Sequence, residues 1–222
     1  MSDLAAYIEH TLLKPEAGLD DIARLCDEAI EHHFVGVCIN GCWVSEAKTR
    51  LEDSGIRVVT VVGFPLGAVE SDVKRFETEA AVDSGADEID MVINVAMLRA
   101  NNDAYLIREM RDVVEAADNR PVKVILETCL LSDEEKRHAC DLVVEAGAKF
   151  VKTSTGFSKG GATTDDVQLM RSIVGTRFGV KASGGIRDAA AARALIEAGA
   201  NRLGTSSGVA IITAGQGGAF DY

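Results

Sequence analysis

Basic charge and proline are scarce in this chain, and each shortage excludes a class of protein. The 222 residues hold 23 lysines and arginines against 35 aspartates and glutamates, a formal net charge of −12. Nucleic acid and anionic membrane surfaces require a basic patch, so we expect neither as a partner. Only three prolines occur, while 47% of the residues are hydrophobic. We therefore expect a folded chain with a sizeable core rather than a disordered one.

Long apolar runs and closely paired cysteines are missing as well. No stretch approaches the roughly 20 apolar residues of a membrane span. The first residues show neither the basic start nor the apolar run of a signal peptide, so none is expected. The five cysteines form no CxxC pair, and no histidine pair lies near Cys38 and Cys42 at ligand spacing. Reduced structural thiols in the cytoplasm fit this pattern better than disulfides or a metal site.

What is present is one alternating unit, repeated along the chain. Short runs rich in β-branched residues alternate with stretches of helical periodicity, and strand ends recur every roughly 23–35 residues, the length of a βα unit. The predicted strands are Tyr7–Leu12, Val35–Asn40, Val58–Gly63, Glu88–Asn94, Val122–Glu127, Phe150–Ser154, Gly179–Ser183 and Arg202–Ser206. The predicted helices include Asp20–His32, Asp72–Ser84, Ala104–Ala117, Asp133–Glu145 and Ala189–Glu197.

A weak internal repeat supports this pattern. Three helices end in Gly-Ala before a strand, at Gly85, Gly147 and Gly199, where glycine can close a helix in the left-handed conformation. Eight units without an intervening linker favour a closed barrel over an open sheet. The sequence therefore predicts an α/β protein with one (β/α)8 TIM-barrel domain over residues 1–222.

Ionisable side chains occupy one face of several predicted strands. Asp90 lies on the polar face of the fourth strand, Lys123 and Glu127 on that of the fifth, Lys152 on the sixth and Lys181 on the seventh. Because the apolar faces must meet the helices, the ionisable faces are expected to point into the barrel. An unpaired buried charge costs several kcal/mol or more, so such groups persist only when paired or functional.

Two interpretations of these charges are open. In the first, ion pairs of Lys123 with Glu127 and of Lys181 with Asp90 fill an ordinary interior. In the second, the whole set forms an active site, since barrel active sites lie at the C-terminal ends of the strands. The convergence of three lysines with at least two carboxylates exceeds what packing requires and favours the second.

Two lysines on adjacent strands suggest Schiff-base chemistry. A lysine amine attacks a carbonyl only when neutral, and roughly one in a few thousand is neutral at pH 7 with an ordinary pKa. A neighbouring ammonium and partial burial both disfavour the charged form. We therefore interpret Lys152 as the nucleophile, Lys181 as the neighbour that perturbs it and relays protons, and Asp90 as a proton donor and acceptor.

Glycine-rich turns follow the last three predicted strands. Gly156 follows the sixth, Gly184 and Gly185 follow the seventh, and Ser206 and Ser207 end the eighth before another glycine. Small residues let backbone N–H groups approach an anion, and the loops after the late strands are the usual phosphate site of such barrels. A phosphorylated substrate is therefore predicted.

Several stretches resemble the deoxyribose-phosphate aldolase family, in order along nearly the whole chain. They are VCIN (37–40), VVGFPLG (61–67), EIDMVIN (88–94), FVKTSTGF (150–157), VKASGGIR (180–187) and RLGTSSG (202–208). The resemblance implies a class I aldolase on a (β/α)8 barrel that cleaves 2-deoxy-D-ribose 5-phosphate to glyceraldehyde 3-phosphate and acetaldehyde. It implies no metal and no other cofactor, and a homodimer or homotetramer.

The resemblance also implies roles for single residues. Lys152 would form the Schiff base, with Lys181 and Asp90 moving protons. The residues implied to line the substrate pocket are Thr11, Cys38, Lys123 and Thr155. The residues implied to bind phosphate are Gly156, Gly184, Gly185, Ser206 and Ser207. Phe157 stands where some members carry a lysine, so Lys159 is the expected substitute, and Tyr222 matches a terminal tyrosine that assists proton transfer in some members.

Three rival functions remain at this stage. A transaldolase-like enzyme would use the same Schiff base on another sugar. A phosphate-binding isomerase would use Asp90 and Glu127 without covalent chemistry. A catalytically silent barrel would serve binding or assembly. The pair of Lys152 and Lys181 argues against the last two, because an isomerase does not need it and a silent barrel has no reason to bear its cost.

Overall fold

The computed structural model describes residues 4–213, and eight parallel strands within them form a closed barrel. Each strand pairs with the next in sequence, and β8 closes the ring on β1 through the register His10 to Thr205. The predicted TIM barrel is thus confirmed. The strands are β1 Ile8–Leu12, β2 Gly36–Ile39, β3 Arg57–Val62, β4 Glu88–Val92, β5 Val122–Ile125, β6 Phe150–Lys152, β7 Gly179–Ser183 and β8 Arg202–Thr205.

Nine helices are found among the described residues, and they surround the barrel. They are α1 Leu19–Glu31, α2 Val44–Arg50, α3 Ser71–Asp83, α4 Val95–Arg99, α5 Asp103–Ala116, α6 Asp133–Ala146, α7 Thr164–Val174, α8 Ala189–Glu197 and α9 Gly208–Thr213. Local sequence fixes their ends: Ser132 and Glu135 form a capping box at the start of α6, and Gly147 closes that helix with φ 88°. In residues 4–213 no helix is long and apolar enough to cross a bilayer.

Several strands end earlier than the sequence pattern predicts. β4 ends at Val92, because Asn94 caps α4 by accepting a hydrogen bond from the Met97 N–H at 3.2 Å. β5 ends at Ile125, and Glu127 has a positive φ of 58°. These residues leave the strands and build the loops at the C-terminal end of the barrel. Alternation along the strand therefore does not govern where their side chains lie.

The two faces of the strands divide as expected. Ile89 and Met91 of β4 belong to the apolar core between barrel and helices. His10 of β1 also lies outside the barrel, where its Nε2 is 2.6 Å from Glu28 Oε2 and its ring packs against Phe34. The acidic residues of the same two strands, Glu9 of β1 and Glu88 and Asp90 of β4, lie inside the barrel.

One buried ion pair lies outside the barrel, between α3 and α5. Lys74 Nζ is 2.7 Å from Glu109 Oε1, and both side chains are fully buried. Lys74 also donates to the Val92 carbonyl at 2.8 Å, which joins the helix pair to the end of β4. Burial lowers the pKa of Lys74 and raises that of Glu109, each against the attraction of its partner.

Lys74→Met should lower the free energy of unfolding by about 3–5 kcal/mol, because Glu109 would stay buried without its partner. Urea unfolding measures this loss. The double variant Lys74→Met/Glu109→Leu should recover most of it, since an apolar pair leaves no unpaired charge. A single variant as stable as the parent would contradict the importance of this pair.

Candidate active site

Three lysines meet one aspartate inside the barrel. Lys152 Nζ and Lys181 Nζ donate hydrogen bonds to Asp90 Oδ2 at 2.8 and 2.6 Å. Lys123 Nζ donates to Asp90 Oδ1 at 2.9 Å. Asp90 is the register partner of Lys123, and Lys152 that of Lys181, so adjacent strands bring these side chains together. All four are at most 3% exposed, so the convergence predicted for Lys152, Lys181 and Asp90 is present.

Two more carboxylates and an arginine extend this group toward the N-terminal ends of the strands. Glu9 pairs with Lys181 and lies 3.5 Å from Lys123 Nζ, and Glu88 lies 2.6 Å from Lys123 Nζ. Arg202 contacts Glu9 at 3.5 Å and Glu88 at 3.9 Å. Arg57 also approaches Glu88 at 3.4 Å, but its side chain is 46% exposed. We call the connected set without Arg57 the interior ion cluster. It consists of Glu9, Glu88, Asp90, Lys123, Lys152, Lys181 and Arg202.

Of the two ion pairs in the alternative structural interpretation, one is present and the other is wrong. Lys181 pairs with Asp90 as predicted, but Lys123 pairs with Asp90 and Glu88 instead of Glu127. The carboxylate of Glu127 accepts two hydrogen bonds from Thr155, one from its hydroxyl and one from its backbone N–H at 3.3 Å. The error follows from the early end of β5, because Glu127 no longer lies on the inner face of a strand.

The interior ion cluster fixes the charge of several members. Burial alone would raise the pKa of Asp90, but the charges of Lys123, Lys152 and Lys181 hold it well below its usual value. Burial would lower the pKa of Lys181, but Asp90 and Glu9 hold it well above its usual value. Asp90 is therefore a carboxylate at neutral pH and Lys181 an ammonium.

A cavity of about 370 Å³ opens above Lys152 at the C-terminal ends of the strands. The loops after β1, β6, β7 and β8 form its walls. Most of the residues expected to bind substrate or phosphate line it: Thr11, Thr155, Gly156, Gly184, Gly185, Ser206 and Ser207. Lys152 lines it as well, so its amine and a ring of small polar residues share one cavity.

Comparison with known proteins decides the family. The chain matches the family described as DeoC/LacD family aldolase over residues 5–214. The chain belongs to the DeoC/LacD family of aldolases.

Relatives of this DeoC/LacD aldolase carry a common description. Deoxyribose-phosphate aldolase 1 of Oceanobacillus iheyensis is 52% identical over 221 residues, which cover 99% of this chain and 100% of that protein. The deoxyribose-phosphate aldolase of Streptococcus sanguinis is 55% identical over 219 residues, 99% of each chain. The deoxyribose phosphate aldolase of Aeropyrum pernix, described as a unique tetrameric structure, has a TM-score of 0.89 at 33% identity, covering 96% of this chain and 91% of that one.

The geometry separates the two roles predicted for Lys181 in this aldolase. As a lasting positive charge beside Lys152, Lys181 disfavours a second ammonium on the adjacent strand. As a proton relay, it would have to release a proton although Asp90 and Glu9 accept hydrogen bonds from its ammonium group and raise its pKa. The first role is therefore the better supported on physical grounds.

Two cations that the sequence reasoning missed line the cavity of the aldolase. Lys14 lies in the loop after β1, and Arg187 lies in the loop after β7. Within residues 4–213 no carboxylate lines this cavity, although the whole chain is acidic. Arg187 is the last residue of the VKASGGIR stretch (180–187), and its place in this stretch is the sequence signal that points to it as a cavity residue. The cavity thus offers a local positive field that suits an anion.

Cys38 and Lys123 lie beneath the cavity rather than on its walls. Cys38 is fully buried against Leu13 and Val59, and burial raises the pKa of its thiol. The ligand atoms of Glu9, Cys38 and Asp90 lie within 4.8 Å of one another. The carboxylates of Glu9 and Asp90 already accept hydrogen bonds from lysine ammonium groups, so a metal ion would have to displace those lysines.

Glycine residues make this packing sterically feasible. A Cβ at Gly204 on β8 would lie 3.1 Å from Lys181 Cε, so glycine leaves the room that the lysine occupies. A Cβ at Gly161 would lie 2.2 Å from the Gly184 carbonyl oxygen, which accepts a hydrogen bond from the Ala162 N–H at 3.0 Å. The loops after β6 and β7 are thereby packed together at the cavity wall.

Two predicted residues are not brought to the site. Lys159 is exposed and does not line the cavity, so the structure does not support it as the substitute for the lysine that Phe157 replaces. Tyr222 lies outside the described residues 4–213, and its role stays a prediction.

Proposed function

We propose that this aldolase reversibly cleaves 2-deoxy-D-ribose 5-phosphate to D-glyceraldehyde 3-phosphate and acetaldehyde through a Schiff base on Lys152, within deoxyribose phosphate catabolism. The observation that carries the proposal is the contact of Lys152 with Asp90 at the floor of a cationic cavity. The relatives from Oceanobacillus iheyensis and Streptococcus sanguinis, both deoxyribose-phosphate aldolases, support the same substrate.

The reaction begins when the neutral Lys152 amine attacks C1 of the open-chain sugar. Loss of water from the carbinolamine gives the iminium, which withdraws electrons from the C2–C3 bond. The C3 hydroxyl gives up its proton, C2–C3 breaks, and the electron pair forms an enamine on Lys152. Asp90, ionised and next to Lys152, remains the predicted proton acceptor. Protonation of the enamine carbon, for which Tyr222 remains the predicted donor, and hydrolysis release acetaldehyde.

A cleavage assay tests this proposal. We expect the enzyme to form acetaldehyde and glyceraldehyde 3-phosphate in equal amounts from 2-deoxy-D-ribose 5-phosphate. A phosphate-binding isomerase would form no acetaldehyde, and a transaldolase-like enzyme would need a different donor sugar. A silent barrel would leave the substrate intact. Absence of acetaldehyde would therefore overturn the proposal in favour of one of these rivals.

Arg187→Gln should raise the KM for 2-deoxy-D-ribose 5-phosphate by about 10-fold or more, because a hydrogen bond to a charged group contributes about 1.5–3 kcal/mol. Turnover of unphosphorylated 2-deoxyribose should change little, since that sugar lacks the phosphate. Lys159→Gln is the matched control, an equal loss of charge outside the cavity, and should leave both substrates unaffected. Equal effects of Arg187→Gln on both sugars would argue against phosphate binding there.

The proposal also covers the oligomeric state of the enzyme and its location in the cell. We infer a homodimer or homotetramer, supported by the family resemblance and by the tetramer described for the Aeropyrum pernix protein. Sedimentation equilibrium measures this, and a monomer at micromolar concentration would contradict it. We also infer a cytoplasmic location, which the unpaired cysteines of residues 4–213 support.

A further inference from the structure

The interior ion cluster carries one more positive than negative group. Its four cations are Lys123, Lys152, Lys181 and Arg202, and its three carboxylates are Glu9, Glu88 and Asp90. When all seven are ionised, the cluster has a surplus of one positive charge. Loss of one proton from a lysine removes the surplus. A buried, uncompensated charge is unfavourable, so the cluster itself favours one neutral lysine.

The contacts show which lysine is least compensated. Lys123 lies within 3.5 Å of three carboxylates, and Lys181 pairs with two. Lys152 contacts Asp90 alone, and it shares the same oxygen with Lys181. Among the described residues, Lys152 is therefore the lysine of the cluster whose positive charge the carboxylates compensate least.

We propose that Arg202 and Glu88, at the end of the barrel opposite the cavity, set this charge balance and so act as positioning residues for Schiff-base formation on Lys152. The inference rests on the proposed function, because it concerns the same nucleophile. Without the positive charge of Arg202 the cluster is balanced while Lys152 keeps its proton. Without the negative charge of Glu88 the surplus grows, and Lys152 loses its proton more readily.

Neither residue can act by touching the substrate. Arg202 and Glu88 do not line the cavity above Lys152. The Arg202 guanidinium lies 5.8 Å from the centroid of the Phe150 ring, which also lies 5.8 Å from Lys123 Nζ. Arg57, 46% exposed, approaches Glu88 at 3.4 Å, but water screens its charge.

The other ionisable groups near Lys152 do not change the charge count of the interior ion cluster. Cys38 on β2 stays a neutral thiol, because burial raises its pKa. Glu127, after β5, is buried but binds Thr155 and contacts none of the cluster cations. Lys14 and Arg187 stand at the cavity mouth. Of the charged groups that the strands bring into the cluster, Asp90 on β4 contacts Lys152 directly. The others are linked to it through ion pairs: Glu9 on β1, Glu88 on β4, Lys123 on β5, Lys181 on β7 and Arg202 on β8.

The test is the pH dependence of reductive trapping. The enzyme is mixed with acetaldehyde and sodium cyanoborohydride across a pH series, and the ethylated peptide holding Lys152 is quantified by mass spectrometry. The acid limb is the part of this pH profile in which the yield rises as the Lys152 amine loses its proton. In Arg202→Gln the acid limb should move to higher pH by about one unit, because loss of a positive charge from the cluster favours the protonated amine of Lys152. Glu88→Gln should move it to lower pH, and the double variant should return it toward the parent.

Two controls separate charge from structure. Arg202→Lys keeps the positive charge and should keep the parent limb. Arg171→Gln removes another partly buried arginine, which lies outside the barrel and donates to the Gly199 and Phe178 carbonyls. It should lower thermal stability without moving the limb. If Arg202→Gln does not fold, Arg202→Lys and Glu88→Gln still carry the test.

The outcomes distinguish this inference from the proposed function. If the parent enzyme is trapped on Lys152 but the limbs of Arg202→Gln and Glu88→Gln stay in place or move in the same direction, the positioning role is overturned and the aldolase proposal survives. If the parent is not trapped on Lys152, the proposed function is overturned. Opposite shifts, with the parent limb in Arg202→Lys, support the inference.

Discussion

Lys152→Met should abolish aldol cleavage while leaving the protein at least as stable as the parent. The rate should fall by at least about 10⁴-fold, because methionine offers no amine and no iminium can form. Stability should hold because the substitution removes the surplus cation. The remaining three cations balance three carboxylates, and Asp90 still pairs with Lys123 and Lys181.

Cleavage assays and urea unfolding measure these two effects together. Lys149→Met is the control, since Lys149 is an exposed lysine three residues before Lys152 and should retain full activity. A Lys152→Met variant that keeps more than about 1% of the activity would contradict covalent catalysis at Lys152. A marked loss of stability would contradict the charge balance.

Asp90→Asn should abolish activity as well, but with the opposite effect on stability. The free energy of unfolding should fall by about 3–5 kcal/mol, because the buried ammonium groups of Lys123 and Lys181 lose the carboxylate that they share. Activity should fall because an amide cannot accept the proton that Asp90 takes up. Asp141→Asn, on the exposed side of α6, is the control and should change neither quantity.

The stability loss in Asp90→Asn should depend on pH in a defined direction. In the folded protein the pKa of Asp90 is held well below its usual value of 3.8. The stabilisation by its ionised form is therefore complete above about pH 4 and is lost as the pH falls toward the folded-state pKa. Urea unfolding should show a constant difference from about pH 5 to 8 and a smaller one below pH 4. A difference that grows in acid would contradict the assignment.

The sequence predicts the site best where strand alternation applies. Asp90 and Lys181 lie in the middle of regular strands and Lys152 is the last residue of β6, so the period of two places all three on the inner face. Glu9 follows the same rule but was missed, because the first strand is short and polar and only Thr11 was assigned inward. Arg202 was missed for a different reason. In the eighth strand, the small residues at the C-terminal end indicate a phosphate site, and nothing in the pattern singles out the arginine at its start.

Sequence reasoning was weakest in the loops. Glu127 was paired with Lys123 on the assumption that β5 continues, but a positive φ ends that alternation. Lys159 was chosen because it lies close to Phe157 in sequence, yet the loop carries it away from the cavity. Lys14 and Arg187 reach the cavity from loops whose course depends on tertiary packing. Such contacts follow from the closed barrel and not from local periodicity.

Reductive trapping with peptide mapping tests the central claim most directly. The enzyme is treated with acetaldehyde and borohydride, digested, and its lysine peptides are compared with those of an untreated sample. The account predicts a single ethylated lysine, Lys152, and no such product in Lys152→Met. An adduct on Lys181 or Lys123 instead, or no adduct at all, would contradict it.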